Sequence, residues 1–146
     1  MSESYVHIEV NEGIGVVTLD RQQRLNAWGS QVSSQTVDAL RTVESDPDVG
    51  GVVLTGAGRA FCAGADLKEE GTHSVSDTEA YLDEHRGSPI FDVLGNYSKP
   101  VIAAVNGFAI GVGCLMCCSV DFVLASSEAS FRLPQTSLGI LPAYGG

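Results

Sequence analysis

The residues best suited to chemistry lie in two loops rich in glycine and alanine. The first covers residues 58–67 and reads GRAFCAGADL, and the second covers residues 106–114 and reads NGFAIGVGC. Each loop follows an apolar segment. Small residues allow backbone N–H groups to come close to a ligand, and such groups form the oxyanion holes of enzymes. The two loops therefore suggest chemistry on an acyl thioester.

Five segments occur in a definite order along the chain, with plausible gaps between them. They are residues 24–27 (RLNA), 52–56 (VVLTG), 61–67 (FCAGADL), 99–107 (KPVIAAVNG) and 138–142 (LGILP). Together they are far more specific than any one motif. The pattern resembles the enoyl-CoA hydratase/isomerase family, also called crotonases, from about residue 5 to the last residue.

This resemblance implies an α/β fold, a crotonase-like spiral of ββα units with buried sheets, in one domain over residues 1–146. A chain of 146 residues is long enough to bury one substantial core. Family members are considerably longer. We therefore expect the domain to be truncated at its C-terminus, without the helices that help close the acyl pocket and build a trimer.

Two backbone N–H groups are the expected oxyanion hole. By resemblance, the thioester oxygen is held by Ala65 and Val112, each near a helix N-terminus that favours an enolate's negative charge. The family usually has glycine where Val112 stands. Valine disfavours a positive φ and takes up space, so the hole is intact, narrowed or lost. Alternatively, both residues simply occupy tight turns of a core.

The two glutamates that add water to a double bond in hydratases of this family have no counterparts here. The resemblance aligns Leu115 with the first and Gln135 with the second, and neither side chain exchanges a proton at neutral pH. Gln135 either orients a water or substrate or is a polar strand-end residue. We expect isomerase, decarboxylase or C–C hydrolase chemistry. The alternative is a non-catalytic CoA-thioester-binding or structural paralogue.

The resemblance also implies a binding site for CoA, which enters as part of the thioester substrate, and no covalently bound cofactor. The residues expected to bind it are Arg24, Ala63, Ala65, Asp66, Leu67 and Lys68. Arg59 adds a further cation beside this site. Without the resemblance, Asp66 would be interpreted as a helix cap.

Three other side chains are weaker candidates for proton transfer. Tyr144 lies where some family members place a catalytic acid, and His73 and His85 lie in a polar stretch between the loops. Packing is the simpler interpretation of Tyr144, and surface placement is the simpler interpretation of both histidines.

Composition limits the partners. The formal net charge is −10, from 18 acidic and 8 basic residues, which argues against nucleic acid as a partner because phosphate binding needs a basic surface.

Residues 101–120 are apolar and uncharged, but Asn106 and three glycines interrupt them, so a membrane helix is not expected. Cys114 and Cys117 have C-x-x-C spacing without a second pair, so no metal site is expected. We expect a cytoplasmic protein that forms a homo-oligomer, a trimer by resemblance.

Hydrophobic periodicity predicts the elements that carry the loops. Val32, Thr36, Leu40 and Val43 recur at helical spacing, and that helix is expected to end near residues 46–47. Ser76 and Glu79 form a capping-box pattern that opens another helical stretch, interrupted at residues 87–89 and resumed at 90–94. A further helix begins near residue 113. The predicted strands are residues 6–10, 14–19, 52–54, 101–105, 122–125 and 131–133.

Overall fold

The computed structural model describes residues 3–68 and 88–138. The strands are β1 (Val6–Asn11), β2 (Ile14–Leu19), β3 (Gly51–Gly56), β4 (Ala60–Cys62), β5 (Val101–Val105), β6 (Phe108–Ile110), β7 (Phe122–Ala125) and β8 (Ser130–Arg132). The helices are α1 (Ser30–Ser45), α2 (Pro89–Gly95) and α3 (Val112–Cys118), with short 3-10 helices at Gln22–Arg24 and Gln135–Leu138. The predicted α/β order is confirmed.

The larger sheet has the strand order β1-β2-β3-β5-β7. The predicted hairpin of β1 and β2 is confirmed, and its two-residue turn places both Glu12 (φ 49°) and Gly13 (φ 79°) in the left-handed region. That conformation suits the twist of a tight hairpin. The other three pairs of neighbouring strands, β2 with β3, β3 with β5 and β5 with β7, are parallel.

The predicted helix over the four periodic residues is α1, and Val32, Thr36, Leu40 and Val43 are all buried on it. The Thr36 hydroxyl donates to the carbonyl oxygen of Val32 at 2.6 Å, which satisfies the one polar group on this apolar face. The helix ends where predicted, with Asp46 as its C-cap. The resumed helix after Pro89 is confirmed as α2, whereas Ser76 and Glu79 lie outside the described residues.

The smaller sheet consists of three parallel strands of three residues each, in the order β4-β6-β8. The sequence interpretation treated β4 and β6 as parts of loops. Strands this short show no measurable alternation, and they form because the fold aligns Ala60 with Phe108 and Phe108 with Ser130. This sheet lies at the starts of both glycine-rich loops.

The core and the last strands differ in burial. Phe61, Leu54 and Met116 are fully buried, whereas Phe122 and Leu124 on the edge strand β7 are each 65% exposed. The apolar run at residues 101–120 contains the predicted buried strand and core helix, β5 and α3, but the loop expected between them includes the short strand β6. Within residues 3–68 and 88–138, no helix is long and apolar enough to span a membrane.

Candidate functional site

The segment just before α1 runs beside the first loop and fixes its backbone. Ala63 N–H donates to the Leu25 carbonyl oxygen at 3.1 Å. Trp28 N–H donates to the Gly64 carbonyl at 2.7 Å, and Asp66 N–H donates to the Trp28 carbonyl at 2.9 Å. Trp28 and Ala65 thus form a parallel bridge. The Gly64 carbonyl and the Asp66 N–H, which flank Ala65, both point towards Trp28. Because successive backbone groups of an extended strand point to opposite sides, the N–H of Ala65 points away from Trp28.

Asp66 anchors the end of the first loop through two arginines. Its side chain is 4% exposed, and its Oδ2 and Oδ1 atoms accept hydrogen bonds from Arg21 Nη1 at 2.8 Å and Arg24 Nη2 at 2.9 Å. Lys68 N–H also donates to Oδ1, at 3.1 Å. Burial opposes ionisation, but the Lys68 hydrogen bond and the charges of Arg24 and Arg21 outweigh it, so the pKa of Asp66 is lowered. Asp66 caps no helix within the described residues.

Sequence reasoning included Arg24 and Asp66 in the CoA site but missed Arg21. The structure joins all three in one cluster, with the Arg21 guanidinium 5.0 Å from the centre of the Tyr5 ring. A lone arginine after a strand gives no signal of this role. Its partner is 45 residues away in the chain, so only folding reveals the pair.

The second loop turns sharply at Gly111, where φ is 54° and ψ is −118°. Val112 then begins α3, and it is not among the described residues with a positive φ. Valine's preference against a positive φ therefore causes no conflict at Val112, because the glycine before it takes the positive φ. As the first residue of a helix, Val112 has an N–H without an intrahelical partner.

The two loops meet through their glycines. A Cβ placed on Gly64 would lie 3.1 Å from the carbonyl oxygen of Ile110, and one on Gly111 would lie 3.8 Å from the Cα of Gly64. Ala65 and Val112 follow these two glycines directly. The fold therefore brings together the two backbone positions that the sequence proposed as a pair, one from each loop.

The two N–H groups have no partner among residues 3–68 and 88–138. Neither the Ala65 N–H nor the Val112 N–H donates to another residue in the part of the chain that the structure describes. Ala65 is exposed, and Val112 is 5% exposed. Two unpaired backbone donors on adjoining loops can stabilise an oxygen that gains negative charge.

The residues that follow Val112 on α3 include buried apolar side chains. Leu115 is 5% exposed on the same helix, and Met116 is fully buried beside it. Gln135 begins the last 3-10 helix and is half-buried, and its Oε1 atom is shielded from solvent without a hydrogen-bond partner among the described residues. The buried Cys62 thiol is no nucleophile at neutral pH, because burial raises its pKa to about 12.

The other residues expected to contact CoA differ in accessibility. Leu67 is 70% exposed, and Lys68 and Arg59 are also exposed, whereas Ala63 is half-buried and uses its N–H within the fold. Tyr144, His73 and His85 lie outside the described residues.

The cysteines of the C-x-x-C pattern are free thiols on α3. Cys114 and Cys117 are both buried, and burial raises the pKa of Cys117 to about 12. No group of three or more histidine, cysteine or acidic side chains within residues 3–68 and 88–138 could hold a metal ion.

Comparison with known proteins matches this chain to one family over nearly its whole length. A family model described as enoyl-CoA hydratase/isomerase matches residues 9–146. A protein named probable enoyl-CoA hydratase from Rhizobium meliloti is 38% identical over 146 residues, covering 100% of this chain and 55% of that protein. A short-chain-enoyl-CoA hydratase from Clostridium acetobutylicum is 40% identical over 147 residues, covering 100% of this chain and 56% of that protein.

Solved structures show the same fold. A crystal structure of enoyl-CoA hydratase from Bacillus anthracis superposes with a TM-score of 0.85 at 29% identity, covering 97% of this chain and 55% of that one. This confirms the crotonase-like architecture expected from the sequence. The chain spans about half the length of the curated relatives it matches.

Proposed function

Since this chain belongs to the enoyl-CoA hydratase/isomerase family, we propose that it binds an acyl-CoA thioester and stabilises the enolate formed from it. The N–H groups of Ala65 and Val112 would receive the thioester oxygen. The observation that carries the proposal is the direction of the Ala65 N–H. Trp28 holds both neighbours of this residue, so its own N–H lies on the side away from Trp28, without a partner among the residues that the structure describes.

The proposed reaction uses enolate stabilisation rather than water addition by two carboxylates. Leu115 and Gln135 occupy the positions that the resemblance aligns with the glutamates of hydratases, and losing a general acid or base typically lowers a rate by ~10²–10⁴-fold. Isomerisation, decarboxylation and C–C bond hydrolysis can each still use an oxyanion hole to stabilise an enolate. The Oε1 atom of Gln135 has no hydrogen-bond partner among residues 3–68 and 88–138, and it would accept a hydrogen bond from a substrate or water that reaches its buried position.

The proposed CoA site is formed by the outer part of the first loop. Exposed Leu67 and Lys68 would contact the cofactor portion, and Arg24, which is 29% exposed, would add positive charge near its phosphates. Arg21 and Arg24 both bind the carboxylate of Asp66, which holds the Arg24 guanidinium beside the outer part of the first loop in a protein whose net charge is −10. Ala63, Ala65 and Asp66 would contribute through the backbone.

A second candidate, a CoA-thioester-binding paralogue without catalysis, is favoured by one observation. Val112, which carries the second N–H donor, and Leu115 on the same helix are both apolar and buried. In this alternative, the fold retains the thioester site but has no group that moves protons.

Binding and turnover separate the two candidates. The purified chain would be titrated with butyryl-CoA, and crotonyl-CoA hydration would be followed as loss of the conjugated thioester absorbance. We expect binding with little hydration. Rapid hydration would overturn the role assigned to Leu115 and Gln135, and absence of binding would overturn both candidates. Binding without any chemistry on isomerase or decarboxylase substrates would favour the paralogue.

The enolate step is tested with acetoacetyl-CoA, whose enolate form has its own absorbance. We expect the bound ligand to contain more enolate than the free ligand at the same pH. Ala65→Pro removes the N–H donor, whereas Ala65→Ser keeps it. Losing one oxyanion-hole donor costs ~2.7–4 kcal/mol, so the proline variant should lower the enolate equilibrium at least about 100-fold. An equal effect of both substitutions would contradict the proposal.

Assembly and location belong to the same proposal. A homo-oligomer, a trimer by family resemblance, would cover apolar residues such as Phe122 and Leu124, which are exposed on β7. Light scattering of the purified protein tests this, and a monomer would contradict it. The cytoplasmic location stays a prediction.

A further inference from the structure

We propose that Asn26 and Asn106 are positioning residues that set the first loop against the second by binding the same carbonyl oxygen, that of Ala60. This inference rests on the proposed function, because the geometry that it explains is that of the Ala65 and Val112 N–H pair. Neither asparagine is expected to touch the substrate.

Asn26 is fully buried, and both the oxygen and the nitrogen of its side-chain amide form hydrogen bonds within the fold. Its Oδ1 accepts the Arg21 N–H at 2.8 Å, and its Nδ2 donates to the carbonyl oxygens of Ala57 at 3.0 Å and Ala60 at 2.7 Å. Its φ of 55° lies in the left-handed region, which asparagine tolerates better than most residues. Asn26 therefore ties the segment beside the first loop to the beginning of that loop.

Asn106 approaches the same carbonyl from the second loop. Its Nδ2 donates to the Gly58 carbonyl oxygen at 2.9 Å and to the Ala60 carbonyl oxygen at 3.3 Å. Gly107, the next residue, packs so tightly that an added Cβ would overlap the carbonyl of Arg59. Asn106 thus links the beginning of the second loop to the beginning of the first.

Ala60 is connected to both donors of the proposed oxyanion hole, to one along the chain and to the other through strand pairing. Ala60 begins β4, and only four residues separate it from Ala65. Phe108 of β6 pairs with Ala60, and β6 leads directly to Gly111 and Val112. Both donors of the proposed hole therefore lie a few residues beyond one shared anchor. A small shift at Ala60 changes the separation of the donors, and catalytic hydrogen bonds are sensitive to such shifts.

The amide nitrogen is the required feature at position 106. Both partners of Asn106 are carbonyl oxygens, so a carboxylate of the same shape has no hydrogen to donate. The test compares Asn106→Asp with Asn106→Ala. Asn96→Asp is the matched control, because Asn96 is exposed and its Nδ2 also donates to a backbone carbonyl, that of Asp92 at 2.9 Å. Asn26→Asp makes the same change, from a donating amide to a carboxylate, at the buried asparagine that binds the same Ala60 carbonyl.

Two measurements on each folded variant separate positioning from a general loss of structure. One is the dissociation constant of butyryl-CoA, and the other is the enolate equilibrium of bound acetoacetyl-CoA. We expect both Asn106 substitutions to lower the enolate equilibrium at least tenfold and to change the dissociation constant less than threefold. Asn96→Asp should change neither. Equal losses in both quantities, or an unchanged enolate equilibrium, would overturn the inference.

A ligand-free measurement distinguishes failure of this inference from failure of the proposed function. The backbone amide resonances of Ala65 and Val112 should shift in Asn106→Asp and stay in place in Asn96→Asp. If the unsubstituted protein does not increase the enolate fraction of bound acetoacetyl-CoA, the proposed function is wrong, and the inference is wrong with it. If the unsubstituted protein does raise the enolate but the amide resonances are unmoved in Asn106→Asp, only the inference falls.

Discussion

The two glycine-rich loops are held in place by different kinds of interaction. Polar contacts with the segment before α1 fix the first loop, and the buried carboxylate of Asp66 is central to them. The second loop is linked to the first by the Asn106 hydrogen bonds, but its distinguishing constraint is close packing, because a Cβ added to Gly113 would overlap Cys62. The first loop should therefore be sensitive to charge and pH, and the second loop should be sensitive to added volume.

The largest expected effect tests the charged anchor of the first loop. Asp66→Asn keeps the shape of the side chain but removes the carboxylate that both Arg21 and Arg24 bind, and breaking a buried ion pair costs about 3 kcal/mol. We expect the free energy of unfolding to fall by that amount in urea denaturation. Asp38→Asn, at an exposed position on α1, should change it by less than about 0.5 kcal/mol. Similar effects from the two variants would show that the anchor contributes little.

The next effect tests the steric contact of the second loop. A Cβ at Gly113 would lie 2.8 Å from the Cβ of buried Cys62 and nearer still to its carbonyl oxygen. Gly113→Ala must displace the first loop or α3, and overpacking of this kind costs about 2 kcal/mol.

Gly95→Ala is the control for that substitution. Nothing lies within 4 Å of a Cβ added there, so this variant should be unchanged or more stable by about 0.5–1 kcal/mol. Thermal unfolding of both variants checks the pair. A stable Gly113→Ala variant would contradict the close packing described for the loops.

The pH dependence of the free energy of unfolding is an effect of intermediate size, and it tests the first loop. The pKa of Asp66 is lowered in the folded state, so its ionised form stabilises the fold above the ordinary value of about 3.9. That contribution is lost as pH falls through the lowered pKa. Below about pH 5, the stability advantage of the unsubstituted protein over Asp66→Asn should therefore shrink. Urea denaturation at several pH values measures this difference, and a constant difference would contradict the assignment.

The smallest effect concerns the ring that covers Arg21. Tyr5→Leu removes the aromatic face 5.0 Å from the guanidinium and should lower the free energy of unfolding slightly. Tyr5→Phe keeps the ring and loses the hydroxyl contact with Glu3, so it should cost about half as much. Chemical denaturation distinguishes the two variants. Equal losses would assign the stabilisation to the hydroxyl group.

Local patterns predicted the regular elements well. Helical spacing located α1, alternation located the hairpin, and apolar runs located β3 and β5, because each pattern reflects a face that one element must bury. The three-residue strands β4 and β6 were missed. Their stability comes from pairing with segments far along the chain, and nothing within three residues records that pairing.

For the candidate site, the sequence alone determined which residues stand in the two loops. Their small side chains, the presence of Ala65 and Val112 and the absence of carboxylates at Leu115 and Gln135 can all be read from it. Only the tertiary structure decided which way the Ala65 N–H points and that Gly111, rather than Val112, adopts the left-handed conformation. It also decided which residues hold the loops. Arg21, Asn26 and Asn106 act on partners 31 to 48 residues distant, and such contacts exist only once the chain has folded.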